Sequence, residues 1–538
     1  MQPAVDVDVV VIGAGVAGMY AVHRFRLDGL SVRGFEAGSD VGGTWYFNRY
    51  PGARCDVESV DYSYSFSDEL QQEWDWSEKY ATQPEILRYL SHVADRFGLR
   101  SAFTFDTRVT AATWDDGVWQ IRTDSGEEVR ARFCVCATGS LSQPNTPPIE
   151  GRERFTGRVL HTASWPHEGV DFRGLRVGVV GTGSSGIQSI PEIARSAESV
   201  TVFQRTANYS VPAGNAPLDD ETRREQKANY AERRRLSRLS GGGSPFVPHP
   251  KGALEVDPEE RRRAYEARWQ MGGVLFAKTF PDQTSNLESN DTAREFAEEK
   301  IRALVKDPAI ADALVPKDHP IGTKRIVTDS GYFETYNRDN VELVDLRKTP
   351  IREITETGVE TTAGHHDIDV LVFATGFDAL TGAVARIDIR GRGGRTLREH
   401  WNGGPRTYLG LGVDGFPNLF LVTGPGSPSV LANMILGAED HIDWIADAVA
   451  HLGEHGKATI EARPDAVDAW QAQLSERADR TLFPRAASWY TGANIEGKPR
   501  GFMLFIGGFA TYRQICADVA GSGYEGFTLT DAPVAVTS

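Results

Sequence analysis

The sequence predicts an α/β fold with two parallel-sheet units and a helical insertion, and three observations predict it. Asp8-Val9-Val10-Val11-Ile12 and Leu175-Arg176-Val177-Gly178-Val179-Val180 are apolar runs of the kind that forms a strand covered on both faces. Each leads into a loop with glycine at its first, third and sixth positions, Gly13-Ala14-Gly15-Val16-Ala17-Gly18 and Gly181-Thr182-Gly183-Ser184-Ser185-Gly186. Each loop opens an apolar-periodic stretch, ending near Gly29 in the first case and reaching about Ala194 in the second. Strand, glycine turn and helix in that order begin a Rossmann-like dinucleotide-binding unit. There the glycines allow a tight turn, close approach of a pyrophosphate and close helix–sheet packing, and the helix N-terminus offers N–H groups to the anion.

The residue after the next strand decides which nucleotide each unit takes. In the first, Leu30-Ser31-Val32-Arg33-Gly34-Phe35 ends at Glu36, whose carboxylate can accept both ribose hydroxyl hydrogen bonds and would repel a 2′-phosphate; FAD or NAD is expected. In the second, Val200-Thr201-Val202-Phe203 leads to Arg205 and Thr206, a guanidinium fork and a hydroxyl suited to a 2′-phosphate; NADPH is expected. Cys134-Val135-Cys136-Ala137-Thr138-Gly139 and Leu371-Val372-Phe373-Ala374-Thr375-Gly376 read as later strands returning to the two sites. Between Pro212 and about Pro320 the chain turns charged and helix-periodic, interrupted by Ser240-Gly241-Gly242-Gly243-Ser244-Pro245, and Arg233-Arg234-Arg235 within it reads as a solvated helix face.

Composition narrows the function. A length of 538 residues suits three or four domains or subdomains, and a net charge of −16 argues against a nucleic-acid partner. Four cysteines suit reduced thiols, and no apolar run approaches the roughly 18 residues of a membrane helix. With no basic leader region at Met1-Gln2-Pro3-Ala4-Val5-Asp6, the expectation is a cytoplasmic protein free of the membrane. The 55 glycines exceed the usual share, which points to places where backbone approaches a ligand. The close pair Cys134 and Cys136, the only candidate for a disulfide reductase's dithiol, is expected to face alternately on its strand. No His or Cys spacing suggests a metal site.

Two further segments carry chemistry. Gly42-Gly43-Thr44-Trp45-Tyr46-Phe47-Asn48-Arg49-Tyr50-Pro51-Gly52-Ala53-Arg54-Cys55-Asp56 follows the first unit, and Phe155-Thr156-Gly157-Arg158-Val159-Leu160-His161-Thr162-Ala163-Ser164-Trp165-Pro166-His167 lies between the two. They match GGxWxxxx(F/Y)PGxxxD and FxGxxxHxxxWP at every fixed position, so the chain resembles the type I Baeyer–Villiger monooxygenases, most closely the phenylacetone and steroid monooxygenase branch. The resemblance runs from Val9 to about Phe527 and includes Gly322-Thr323-Lys324-Arg325, Gly424-Pro425-Gly426-Ser427-Pro428-Ser429 and Ser488-Trp489-Tyr490-Thr491-Gly492-Ala493-Asn494.

The resemblance implies that NADPH reduces FAD, that O2 adds at flavin C4a, and that the peroxide attacks a ketone to give an ester or lactone through a tetrahedral adduct. Arg325 matches the family's active-site arginine, which would keep the peroxide anionic and stabilise the adduct's oxyanion. Asp56 would orient that arginine, with a capping carboxylate as its bland alternative. On the same basis FAD is expected at Gly13, Gly15, Gly18, Glu36, Gly43, Thr44, Trp45, Asp56, Tyr62 and Met434, with plain core packing an open alternative for the last two. NADP is expected at Gly181, Gly183, Ser184, Ser185, Gly186, Arg205, Thr206, Lys324, Arg325 and Trp489, although Lys324 could face solvent and Trp489 could belong to the core. Phe155, Gly157, His161, Trp165 and Pro166 form the linker motif, with His161 in a structural and gating role. The implied domain order is FAD-binding 1–143, NADP-binding 144–213, helical insertion 214–320, NADP-binding 321–377 and FAD-binding 378–538. A flavin monooxygenase oxygenating sulfides or amines shares both nucleotide loops and is the alternative reading. A nucleotide-sensing protein without catalysis is a further class. Which ketone is oxidised and the oligomeric state stay open.

Overall fold

The computed structural model describes residues 4–531. Strand Val7–Ile12 pairs in parallel with Val32–Phe35 on one side and Glu128–Cys136 on the other, so the loop at Gly13 leaves from the interior of an eight-stranded sheet. The side chains explain the placement: Val9, Val10 and Val11 are all fully buried, as a strand covered on both faces requires. Phe103–Thr104 extends one edge, and the antiparallel ribbon Val109–Asp115 and Val118–Thr123 the other. Two more strands arrive from far along the chain, Leu419–Leu421 against Glu128–Cys136 and Asp388–Arg390 against Val109–Asp115. Helix Val16–Leu27 packs between this sheet and the long helix Met434–Glu454.

The second sheet is wholly parallel, in the order Val341–Asp345, Ser199–Gln204, Arg176–Val180, Val370–Phe373, Arg158–His161. Val180 sits in register with both Phe203 and Phe373, so three strands end level around the loop at Gly181. Between the paired strands Ser210–Pro212 and Val327–Asp329 the chain makes the helices Asp220–Ala228, Tyr230–Leu239, Pro258–Met271, Leu287–Leu304 and Pro308–Leu314. Tyr265, Trp269, Phe276, Phe280 and Phe296 give this insertion an aromatic core of its own. Among the described residues no helix is long and apolar enough to cross a membrane.

Two sequence expectations are corrected here. The run Arg233-Arg234-Arg235 is not a solvated face. Arg233 grips Asp61, whose side chain is 2% exposed, with Nε and Nη2 at 2.6 and 2.7 Å. Arg234, 4% exposed, donates to Gln71 Oε1, Ser63 Oγ and the Asp61 and Tyr64 carbonyls. Only Arg235 stays outside, paired with Glu232. The helix lies on the turn-rich segment 58–71, whose acceptors must be satisfied once water is excluded. Cys134 and Cys136, in turn, do not face alternately: two residues apart on one strand, they share a face and one apolar cluster. Their neighbours Phe133 and Val135 belong to the cluster on the opposite face. Both thiols are free and buried beneath the sheet.

Candidate active site

The two glycine loops repeat one construction. Gly13 and Gly181 have φ of 107° and 109°, and a Cβ on either would lie 2.6 Å from a carbonyl oxygen, of Ala137 and Ala374 respectively. A Cβ on Gly18 or Gly186 would strike the oxygen of Gly13 or Gly181, which is how each helix comes to sit against its own loop. Gly183 differs. Its backbone is ordinary, φ −83° and ψ −168°, and a Cβ there would meet no protein atom within 4 Å. Neither conformation nor packing calls for glycine at this exposed position, and its missing side chain leaves room for a ligand to approach the backbone. Gly15 has the same extended backbone, with only Gly43 near it.

The helices that follow begin without a side-chain cap, at Gly15 and Gly183, and neither carries an acid in its first turn. By contrast Asp219, Asp257 and Asn286 cap helices of the insertion. Uncapped N–H groups and positive dipole, beside glycines that a Cβ would obstruct, fit the phosphates of a dinucleotide.

Glu36 is 6% exposed and accepts one N–H on each oxygen, from Ala14 at 2.7 Å and from Gly38 at 2.7 Å. Burial raises its pKa while these donors oppose the rise. Each oxygen keeps a lone pair for a ribose hydroxyl. Thr44, exposed, starts the short helix Thr44–Phe47, capped by Gly43. Trp45 is buried, and its indole N–H donates to the Tyr62 hydroxyl at 3.1 Å. Met434 begins the helix capped by Asn433 and is partly buried, with Trp489, against a cluster that contains Tyr490 and Val430.

In the second unit Ser184 is exposed and Ser185 bonds Thr162 at 3.0 Å. Arg205 is exposed, and the Thr206 carbonyl accepts from the Thr182 hydroxyl at 2.9 Å. Lys324 belongs to the same patch. Burial lowers its pKa, Asp318 opposes this, and the positive fields of Arg205 and Arg347 add to the lowering. Arg347 was not anticipated from sequence. It reaches the Thr206 hydroxyl at 3.5 Å and Asp318 at 2.9 Å. Its signal lay in the strand order, because Asp345 is in register with Gln204 and carries Arg347 to the level of Arg205.

Arg325 and Asp56, 269 positions apart in sequence, form a bidentate pair with Nε to Oδ2 at 2.6 Å and Nη2 to Oδ1 at 2.7 Å. Nη1 donates to the Val430 carbonyl at 2.8 Å. Burial alone would lower the guanidinium's pKa, but Asp56 more than reverses this and the net direction is up. Arg325 and Asp56 keep 27% and 23% side-chain exposure, so the pair lines a surface that a ligand can reach. Tyr490, buried, lies close enough for Arg325 to oppose the burial that raises its phenol's pKa.

The linker motif joins the two units. Trp165 is buried in the second unit's core and its N–H donates to the Phe47 carbonyl of the Gly42–Asp56 segment at 3.3 Å. The rings of His167 and Tyr46 meet edge-on at 4.8 Å, next to the half-buried Pro166. Gly157 leaves no room for a Cβ between Phe155 and the Asp369 carbonyl. His161 Nδ1 accepts the Ala163 N–H at 3.0 Å, which leaves the proton on Nε2, 3.2 Å from the Asn145 carbonyl. Burial lowers its pKa, which favours the neutral imidazole. Among the described residues no group of three or more His, Cys, Asp or Glu side chains could hold a metal ion.

Residues 10–219 match the family model for pyridine nucleotide-disulphide oxidoreductases. A Baeyer–Villiger monooxygenase of Pseudooceanicola batsensis is 45% identical over 525 residues, 96% of this chain and 95% of that protein. Cyclohexanone 1,2-monooxygenase of an Acinetobacter species is 41% identical, over 98% of each chain. Among solved structures, oxidised steroid monooxygenase bound to NADP superposes with a TM-score of 0.94 at 66% identity, over 98% of this chain and all of the other. The chain belongs to the type I Baeyer–Villiger monooxygenases, flavoproteins that use FAD, NADPH and O2 to oxidise a ketone to an ester or lactone.

Proposed function

We propose that Arg325 is the catalytic cation of this chain's ketone oxidation and that Asp56 is its positioning residue. The observation that carries this reading is the bidentate pair itself. It fixes the guanidinium plane through Nε and Nη2, with Nη1 held by Val430, and leaves one further N–H on each Nη. When bound, FAD supplies hydride acceptance from NADPH and the activation of O2. The protein's part is to hold positive charge where negative charge develops on the ketone oxygen, in a site screened from bulk water. Asp56 fixes the orientation and moderates the charge, so that the ketone meets a directed donor pair rather than a bare cation.

FAD is held by the loop Gly13, Gly15 and Gly18, by Glu36 at its ribose, and by Gly43, Thr44 and Trp45, with Tyr62 and Met434 beside the ring. NADPH is held by Gly181, Gly183, Ser184, Ser185 and Gly186, with Arg205, Thr206 and Lys324 at the 2′-phosphate and Trp489 over the nucleotide; we add Arg347 to that phosphate site. The FAD-binding unit comprises 1–143 and 378–538, and the NADP-binding unit 144–213 and 321–377. The protein acts on small-molecule ketones in the cytoplasm. Relatives named for cyclohexanone and acetone support the substrate class. The test is a panel of cyclic, aryl and aliphatic ketones, scored for ketone-stimulated NADPH oxidation and for ester or lactone by mass. NADPH oxidation that no ketone stimulates would overturn the reading.

A further inference from the structure

Lys278 ends the helical turn Val274–Lys278 of the insertion. This turn abuts the segment that carries Arg325: a Cβ on Gly322 would lie 2.5 Å from the Ala277 Cβ. On its other side a Cβ on Gly242 would lie 3.9 Å from the Lys278 Nζ. The Gly242 carbonyl accepts at 2.9 Å from the backbone N–H of Asn433, the cap of the helix that begins with Met434. Lys278 therefore stands between the two segments that bring Arg325 and Met434 to the site.

Its side chain is exposed, yet burial and then the charge of Arg325 lower the ammonium's pKa, with no carboxylate acting in the other direction. Arg325 and Asp56 neutralise one another, which leaves the Lys278 charge as a surplus. Its three donors have no acceptor among the described residues.

We propose that Lys278 is a specificity residue of the ketone site, its ammonium taking a carbonyl or carboxylate oxygen that the substrate carries away from the reacting ketone. The favoured substrates are then ketones with a second oxygen function, which dock that function on Lys278 and present the ketone to Arg325. The inference rests on the ketone-oxidation reading. It deepens that reading by naming what the far end of the substrate carries.

The test compares 4-phenylbutan-2-one with its para-acetyl and para-carboxylate derivatives, in the FAD-loaded wild type, Lys278→Met and Lys278→Arg. In Lys278→Met the KM for an oxygen-bearing ketone should rise about tenfold or more, that of 4-phenylbutan-2-one should change less than about twofold, and Lys278→Arg should restore the preference. An equal change for all three ketones overturns the proposal. So does a selective rise in the KM for NADPH, which would assign the ammonium to the nucleotide. Turnover of 4-phenylbutan-2-one by the wild type reports on ketone oxidation separately, so failure of that reading is distinguishable from failure of this one.

Discussion

Replacing Arg325 by alanine should abolish oxygen insertion while leaving flavin reduction intact, and the size of the loss follows from donor counting. A guanidinium has five N–H groups. Nε and one proton of Nη2 go to Asp56, and one of Nη1 goes to Val430. One proton on each Nη lies outside these bonds, open to the reacting oxygen or to the neighbouring Tyr490 hydroxyl. At about 1.5–3 kcal/mol for each charge-assisted bond, losing both removes about 3–6 kcal/mol of transition-state stabilisation, or about 10²- to 10⁴-fold in rate. The variant should still fold, because Asp56 keeps 23% exposure and can be hydrated once its partner is gone. The assay pairs anaerobic flavin reduction by NADPH, expected within about threefold of wild type, with ester formed per NADPH consumed. An ester yield within about tenfold of wild type would refute the donor role.

Three other variants test the nucleotide loop, a buried arginine and a buried carboxyl. Gly183→Ala places a methyl where no protein atom lies within 4 Å, so its melting temperature should match or exceed that of wild type while the KM for NADPH rises about tenfold; unchanged NADPH affinity would remove the nucleotide from that space. Arg234→Met strands the acceptors of Gln71, Ser63, Asp61 and Tyr64, and denaturant unfolding should show a loss of about 3–5 kcal/mol from these unsatisfied groups; a loss under about 1 kcal/mol would show that the helix is held by other contacts. The Glu439 carboxyl, which accepts from Ser65 and Phe66, is pushed by burial from its ordinary 4.5 up to about 7. Because the folded state then binds the proton more tightly than the unfolded chain, stability is lost as pH rises from 4.5 toward 7. Glu439→Gln removes that dependence, so the variant's stability relative to wild type should grow by about 3 kcal/mol between about pH 5 and pH 8; parallel profiles would contradict it.

What the sequence shows clearly is what a few consecutive residues determine. The glycine loops, the strands before them and Glu36 depend on short-range geometry, and the structure forms strand, glycine turn and helix at both loops with Glu36 directly after its strand. The nearness of Arg325 to Asp56 was legible only by resemblance, since no local pattern joins residues 269 positions apart. The Arg233–Arg235 run shows why a charge pattern misleads. Its burial is decided by segment 58–71, more than 160 positions away, and nothing within the helix reports that surface. The facing of Cys134 and Cys136 needed only the two-residue strand period. Arg347 and Lys278 escaped notice for a third reason: each is brought near Lys324 or Arg325 through a neighbouring strand or turn, and one sequence does not specify which elements become neighbours.

Baeyer–Villiger oxidation inserts one atom of O2 beside a ketone carbonyl. The most direct measurement supplies 18O2 with NADPH and a ketone to the FAD-loaded protein and reads the isotope in the product. The product should be an ester or lactone carrying one 18O atom for each NADPH consumed. An ester without the label, or NADPH consumed with hydrogen peroxide as the only oxygen product, would contradict it.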